Sequence, residues 1–190
     1  MNKKSKSWIE LEPQKVEYGN IESFENYYER IKENTKFSHI PKSVFKQWLW
    51  AHHDKAESIS NYGWIDYENI EFTLCKWSNE QLTNIHVIEE YRDYYENRAS
   101  YNSISSFCCI DKDLSEWKTK GTWRTPPIII DINSLNSEIP KWSELNPRFQ
   151  LVEGHSRLGY LHSMFRIDKL GKGTVAKEHE IFLMKLNIKK

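Results

Sequence analysis

The sequence predicts an α+β fold in which a small mixed sheet is flanked by helices. Residues 126–131 are a continuous, largely β-branched run, which is typical of a buried strand. Residues 149–165 begin as a strand, pass through a glycine and continue with apolar residues at helical spacing. Residues 21–34 carry a further apolar stripe at helical spacing. Strands and helices are therefore both expected.

The first part of the chain predicts helices followed by short strands. Residues 1–20 are polar and indicate loop or strand, whereas residues 21–34 indicate a helix. Pro41 can open a second helix, because the first helical position does not use its amide hydrogen. Residues 64–67 and 70–74 read as two short strands.

The middle of the chain is less clear. Ser78 followed by Gln81 predicts a capping box at the start of a helix. Residues 82–98 leave two alternatives open, because residues 85–88 favour a strand and the residues after them favour a helix. The aromatic residues that suit the helix are Tyr91, Tyr94 and Tyr95.

The second half begins with a short helix that either Asp111 or Asp113 is predicted to cap. Gly121 is expected to end this region. Residues 132–148 are rich in loop residues, and residues 179–186 alternate enough to predict a final strand.

The strand–glycine–helix segment has the chemistry of a phosphate site. The amides at a helix start point away from the helix, and the helix dipole makes this end positive. Gly154 permits a positive φ and the close approach of a ligand. His155, Ser156 and Arg157 add two donors and a fixed positive charge. Arg124, just before the buried strand, is a candidate second phosphate contact, with surface exposure as the alternative.

Glu153 and His155 are candidate catalytic residues. A carboxylate and an imidazole beside a bound phosphate can act as a general base or help to hold Mg²⁺. The alternative is that Glu153 caps the helix and His155 packs on its first turn. The sequence contains no HExxH motif and no paired CxxC motif, so we expect no metal centre held by the protein alone.

Four features of the second half follow one another: a helix that ends in glycine, a Pro-Ile-Ile-Ile-Asp strand, a strand that enters a Gly-x-x-Arg turn, and a final strand. The residues that carry them are Leu114, Gly121, Pro127 to Asp131, and Leu151 to Leu158. This order resembles the ParB/sulfiredoxin superfamily over residues 105–188. The resemblance implies a ParB/sulfiredoxin-like core at residues 105–190, with a family-specific helical and strand-containing region at residues 1–104 packed on it.

The resemblance also implies a function. In that family the Gly-x-x-Arg turn contacts nucleotide phosphates, which here implies Gly154 and Arg157, with a nucleoside di- or triphosphate and Mg²⁺ as cofactors. Its members include partition proteins that bind CTP and DNA, sulfinic acid reductases, serine kinases and nucleases. The reductase pattern has a cysteine directly after the glycine, where this chain has His155, so that activity is not expected.

Three hypotheses follow for the function. The first is a nucleotide-dependent enzyme, for phosphoryl transfer or hydrolysis, or a nucleotide-gated switch. The second is a DNA-binding protein or nuclease of a plasmid, phage or defence locus. The third is a non-catalytic factor that binds a partner protein.

The composition limits these hypotheses. The 190 residues carry 27 basic and 27 acidic side chains, which argues against a strongly basic nucleic-acid binder. The three cysteines, Cys75, Cys108 and Cys109, do not indicate a disulfide framework. No apolar run follows the basic start of the sequence, so we expect a cytoplasmic protein with no membrane partner.

Overall fold

The computed structural model describes residues 4–135, 138–146 and 148–187. Its helices are α1 (Lys6–Glu10), α2 (Phe24–Lys32), α3 (Lys42–Val44), α4 (Ala56–Tyr62), α5 (Asn79–Thr83), α6 (Glu89–Ala99), α7 (Asp111–Lys120) and α8 (His155–Lys169). Its strands are β1 (Ile70–Ser78), β2 (Ile128–Asp131), β3 (Phe149–Glu153) and β4 (Glu178–Leu186). The strands form one four-stranded mixed sheet in the order β1-β4-β2-β3. The α+β prediction is confirmed.

The chain divides into two compact units. The first comprises Met1–Phe72, Asp131–Asn146 and Met184–Lys190, and the second comprises Thr73–Ile130 and Pro147–Leu183. The boundary that the family resemblance implies, between residues 104 and 105, stays a prediction.

The first unit is organised around Trp8, which is fully buried on α1. Trp8 packs edge-on against Trp48 in the π-helical turn Phe45–Leu49 that continues α3. The ring of His53 stacks on Trp8 at 4.5 Å between centroids, and its Nε2 lies 2.7 Å from the Trp8 carbonyl oxygen. Burial lowers the pKa of His53, so this imidazole is neutral near pH 7.

One prediction for the first unit is wrong in part, and another is wrong. The prediction of loop or strand for residues 1–20 agrees with residues 11–16, where Lys15 forms an isolated bridge with Ile21, but it is wrong for Lys6–Glu10. There, Ser5 caps α1 by accepting a hydrogen bond from the Trp8 amide. Burial of Trp8 stabilises this short helix, which is an effect of packing that local polarity does not reveal. Residues 64–67 do not form a strand, because the Asp66 side chain caps the 3₁₀ turn Tyr67–Asn69.

In the second unit, the capping box of Ser78 and Gln81 is confirmed. The two alternatives for residues 82–98 are resolved in favour of helix α6, with strand-like pairing reduced to one parallel bridge between His86 and Gln150. The prediction that an aspartate caps α7 is wrong, because Ile110 occupies the cap position and makes no side-chain bond there. Gly121 ends α7 in the left-handed conformation, as predicted.

The core of the second unit joins β3 to the apolar face of α8. Leu151 of β3 and Leu158, Leu161 and Met164 of α8 belong to one buried cluster. Phe107 and Tyr160 stack in the same cluster at 4.3 Å between ring centroids. This packing fixes the position at which α8 begins.

A buried histidine connects three segments of the second unit. Thr122 Oγ1 donates to His179 Nδ1 at 2.7 Å, and His179 Nε2 donates to Asn79 Oδ1 at 2.8 Å. Asn79 Nδ2 donates in turn to the Ala176 carbonyl at 2.9 Å. Because the Asn79 oxygen only accepts, Nε2 carries a proton, and the lowered pKa of the ring makes Nδ1 the unprotonated acceptor near pH 7. Burial lowers the pKa of His179 to about 4.

Two glycines with similar backbone angles give a matched test of packing. Gly121 has a φ of 64°, and an added Cβ would lie 2.0 Å from the Thr174 carbonyl oxygen. Gly171 has a φ of 66°, but an added Cβ would have no neighbour within 4 Å. We expect Gly171→Ala to lower the free energy of unfolding by about 1–2 kcal/mol, which is the cost of left-handed backbone for alanine. Gly121→Ala should cost clearly more in denaturant unfolding, and equal losses would contradict this packing.

The His179 network predicts a pH-dependent stability. The folded pKa is about 4; the unfolded value is about 6.5. The unfolded state therefore binds more protons between these values, and the free energy of unfolding falls as the pH falls from about 6.5 to about 4. Over this pH range, His179 accounts for a loss of about 3 kcal/mol in the free energy of unfolding, because each unit of pKa difference corresponds to about 1.36 kcal/mol. Urea unfolding at pH 7.5 and pH 4.5 should show a smaller difference for His179→Gln than for the unmodified chain. The same pH dependence in both proteins would show that His179 does not carry it.

Candidate functional site

The turn between β3 and α8 depends on Gly154. Gly154 is the N-cap of α8 with a φ of 110°, a conformation that side-chain-bearing residues rarely adopt. An added Cβ would lie 2.5 Å from the Pro127 Cβ atom. The group that lies close to Gly154 is therefore Pro127, which belongs to the segment that leads into β2.

Arg157 ties this turn to the same segment. Its Nη1 donates to the Thr125 carbonyl oxygen at 2.9 Å, and its Nη2 pairs with the Glu153 carboxylate. The side chain is only 18% exposed. Arg157 therefore holds a positive charge in a fixed place beside the first turn of α8.

Arg124 lies one residue before the carbonyl that Arg157 contacts. Its Nε donates to Asp113 Oδ1 at 2.6 Å, in the first turn of α7. The Arg124 side chain is 46% exposed. The segment that contacts the turn therefore also carries Arg124, but each arginine is paired with a different carboxylate.

His155 and Ser156 face helix α6. The rings of His155 and Tyr91 lie 4.3 Å apart between centroids, and Ser156 Oγ and the Tyr94 hydroxyl share a hydrogen bond of 2.7 Å. The sequence pattern predicts these tyrosines on a helix but assigns them no part in the site. Their helical spacing was the available signal, although it does not reveal which helix they contact.

The close packing of α6 on α8 is made possible by Gly159. An added Cβ at this position would lie 2.6 Å from Arg98 Cβ and 2.8 Å from the Tyr95 carbonyl oxygen. Further along, Ser163 Oγ donates to the Arg98 carbonyl oxygen at 2.6 Å. Polar contacts therefore hold α6 along most of α8.

The candidate catalytic residues have defined surroundings. Glu153 accepts from Arg157 and makes no bond that caps α8. The Oε2 atom of its carboxylate pairs with the guanidinium, so a proton or a cation at that oxygen competes with the pairing. His155 packs on Tyr91, in agreement with the alternative that it lies against its surroundings in the first helical turn.

Within residues 4–135, 138–146 and 148–187, no group of three or more histidine, cysteine, aspartate or glutamate side chains could hold a metal ion. A divalent ion at the turn would therefore need oxygen ligands from the bound molecule as well as from the protein.

Comparison with known proteins finds no matching family model, curated protein or solved structure. The resemblance to the ParB/sulfiredoxin superfamily therefore stays a prediction. None of the helices in the described part of the chain is long and apolar enough to cross a membrane.

The two arginines should differ in their contribution to stability. Arg157→Gln removes a shielded guanidinium that bonds both a carboxylate and a carbonyl; we expect it to lower the free energy of unfolding by about 2 kcal/mol. Arg124→Gln removes a more exposed ion pair; it should cost at most about 0.5 kcal/mol. Denaturant unfolding of both variants measures the difference, and equal costs would mean that Arg157 is not held as described.

Proposed function

We propose that the second unit binds a nucleotide through its phosphates at the β3–α8 turn, and that it is a ParB/sulfiredoxin-like module. The ligand is a nucleoside di- or triphosphate with Mg²⁺. The observation that carries the proposal is the fixed position of the Arg157 guanidinium beside the start of α8. A helix start and a guanidinium together favour a phosphate group.

The geometry around Arg157 supports phosphate over other anions. The Thr125 carbonyl is a neutral acceptor, so it orients the guanidinium without reducing its charge. A guanidinium has five N–H donors, and those not directed at Thr125 can bond two oxygens of one phosphate. The amides of Ser156 and Arg157 lie in the first turn of a helix of 15 residues, whose dipole adds positive potential there.

Glu153 has a defined part in the proposal. Its carboxylate neutralises Arg157 before the ligand arrives. When a phosphate takes the guanidinium, the released carboxylate can help to hold the Mg²⁺ that accompanies the nucleotide. The ion pair is thus exchanged for two new pairs, and neither charge is left alone.

For the bound nucleotide we propose hydrolysis or phosphoryl transfer. The alternative is a switch that binds the nucleotide without turnover. Glu153 and His155 are the groups nearest the turn that can move a proton or position a metal. Phosphate release from the nucleotide that binds best separates the two possibilities. Turnover that Glu153→Gln abolishes while binding persists would support an enzyme.

Ligand-dependent stability tests the phosphate site. ATP, ADP, CTP, GTP and pyrophosphate, each with and without Mg²⁺, should be tested in thermal unfolding of the full chain. A ligand that binds only the folded state at 100 times its Kd stabilises it by about 2.7 kcal/mol. We expect at least one nucleotide and pyrophosphate to raise the Tm, and Arg157→Gln to abolish the shift.

Glu153→Gln is the matched control, because it breaks the same ion pair and leaves the guanidinium in place. It should keep or increase the shift given by Mg²⁺-free pyrophosphate, because the competing carboxylate is gone, and it should lose the extra shift that Mg²⁺ gives. Equal losses in the two variants would indicate damage to the fold and would contradict phosphate binding by Arg157. A folded protein that none of these ligands stabilises would also overturn the proposal. In that case single- and double-stranded DNA are the next ligands, with binding measured against salt concentration.

A further inference from the structure

We infer that Tyr94, with Arg98 beneath its ring, forms a stacking surface for the base of the nucleotide. This inference rests on the proposed function, because it assigns the base of a ligand whose phosphates lie at the β3–α8 turn. Tyr94 and Arg98 would then distinguish a nucleotide from inorganic polyphosphate.

The position of Tyr94 is fixed by the first turn of α8. The Tyr94 hydroxyl and Ser156 Oγ share a hydrogen bond of 2.7 Å, so the end of the phenol ring lies beside the residues that begin α8. Tyr91, one helical turn earlier on α6, packs its ring on His155 of the same turn. Two aromatic side chains of α6 therefore lie next to the proposed phosphate site.

The Tyr94 ring is supported and still accessible. The Arg98 guanidinium carbon lies 3.6 Å from the ring centroid, which is the distance of a stacked cation–π contact. Tyr94 nevertheless remains 44% exposed. A flat group of a ligand can stack on the exposed part of the ring, while the guanidinium keeps the ring in place from its other side.

Helix α6 does not need this ring for its own packing. The aromatic residues of α6 that pack against the hydrophobic core are Tyr91 and Tyr95, whereas Tyr94 is not among them. An exposed tyrosine on such a helix contributes little to a hydrophobic core. A base, by contrast, has a π-face of its own, and stacking on an aromatic side chain is tolerant of base identity.

The consequence is a ligand with two parts. Phosphates bind at Arg157 and the start of α8, and the base lies across Tyr94. Binding should therefore be tighter for a nucleoside diphosphate than for pyrophosphate, although the two ligands carry similar phosphate groups. The difference in affinity measures the contribution of the nucleoside, and the part that Tyr94→Ala removes is the stacking on this ring.

Isothermal titration of the full chain with pyrophosphate and with ADP, CDP, GDP and UDP measures this difference. We expect the best nucleoside diphosphate to bind about ten-fold tighter than pyrophosphate, within the range of base–aromatic stacking. Tyr94→Phe keeps the ring and should keep this advantage. Tyr94→Ala should remove it without changing the Kd of pyrophosphate, which also shows that the site is still folded. Tyr18→Ala, at an exposed tyrosine of the first unit, is the control and should change neither Kd.

The outcomes separate this inference from the function on which it rests. Pyrophosphate binding that Arg157→Gln abolishes, with no tighter binding of any nucleoside diphosphate, would leave the phosphate site standing and overturn the stacking surface. An advantage that survives Tyr94→Ala would also overturn it. If neither pyrophosphate nor any nucleotide binds, both the phosphate site and the stacking surface are rejected.

Discussion

The contact of Gly154 with Pro127 is the constraint on which the rest of the candidate site depends. It requires a residue without a side chain, because the backbone has a positive φ and the Cβ position is occupied by Pro127. Once the turn lies against this segment, the Thr125 carbonyl is within reach of Arg157. The guanidinium is thus placed by backbone packing before any ligand arrives, so that little side-chain freedom remains to be lost on binding.

Helix α6 lies on the other side of the first turn of α8, where hydrogen bonds from side chains to other side chains and to the backbone contribute more than at Gly154. The two helices approach closely at Gly159, yet the bonds between them come from hydroxyl, imidazole and carbonyl groups. Net contributions of such hydrogen bonds are about 1 kcal/mol each. Tyr91 and Tyr95 also pack against the hydrophobic core, but no residue of α6 is fully buried. Helix α6 is therefore expected to open at a lower free energy than β3 and α8, which bury apolar side chains together.

The parts of the fold that sequence could predict are those in which local pattern and packing agree. The β-branched run of β2 is buried as expected, and the change of periodicity at Gly154 marks the start of α8. Helix α1 was missed, because its five residues are too few for a helical pattern and depend on the burial of Trp8 as well as on the Ser5 cap. The part of Tyr94 in the site was equally hidden, since its partner Ser156 is 62 residues away in the sequence. The sequence indicated which residues begin α8. It did not indicate that Ser156 bonds to Tyr94 or that Arg157 pairs with Glu153.

Both arginines of the proposed anion site are paired with carboxylates, in a chain with no net charge. Arg157 is paired with Glu153 one helical turn away, and Arg124 is paired with Asp113. A simple anion must compete with a carboxylate for each guanidinium, which weakens its binding. For a magnesium nucleotide the same competition would be offset, because its phosphates would take the guanidinium while its cation attracts the released carboxylate. At the proposed site, the ion pair of Arg157 and Glu153 should therefore favour the binding of metal-bound polyphosphates over free anions of the same charge.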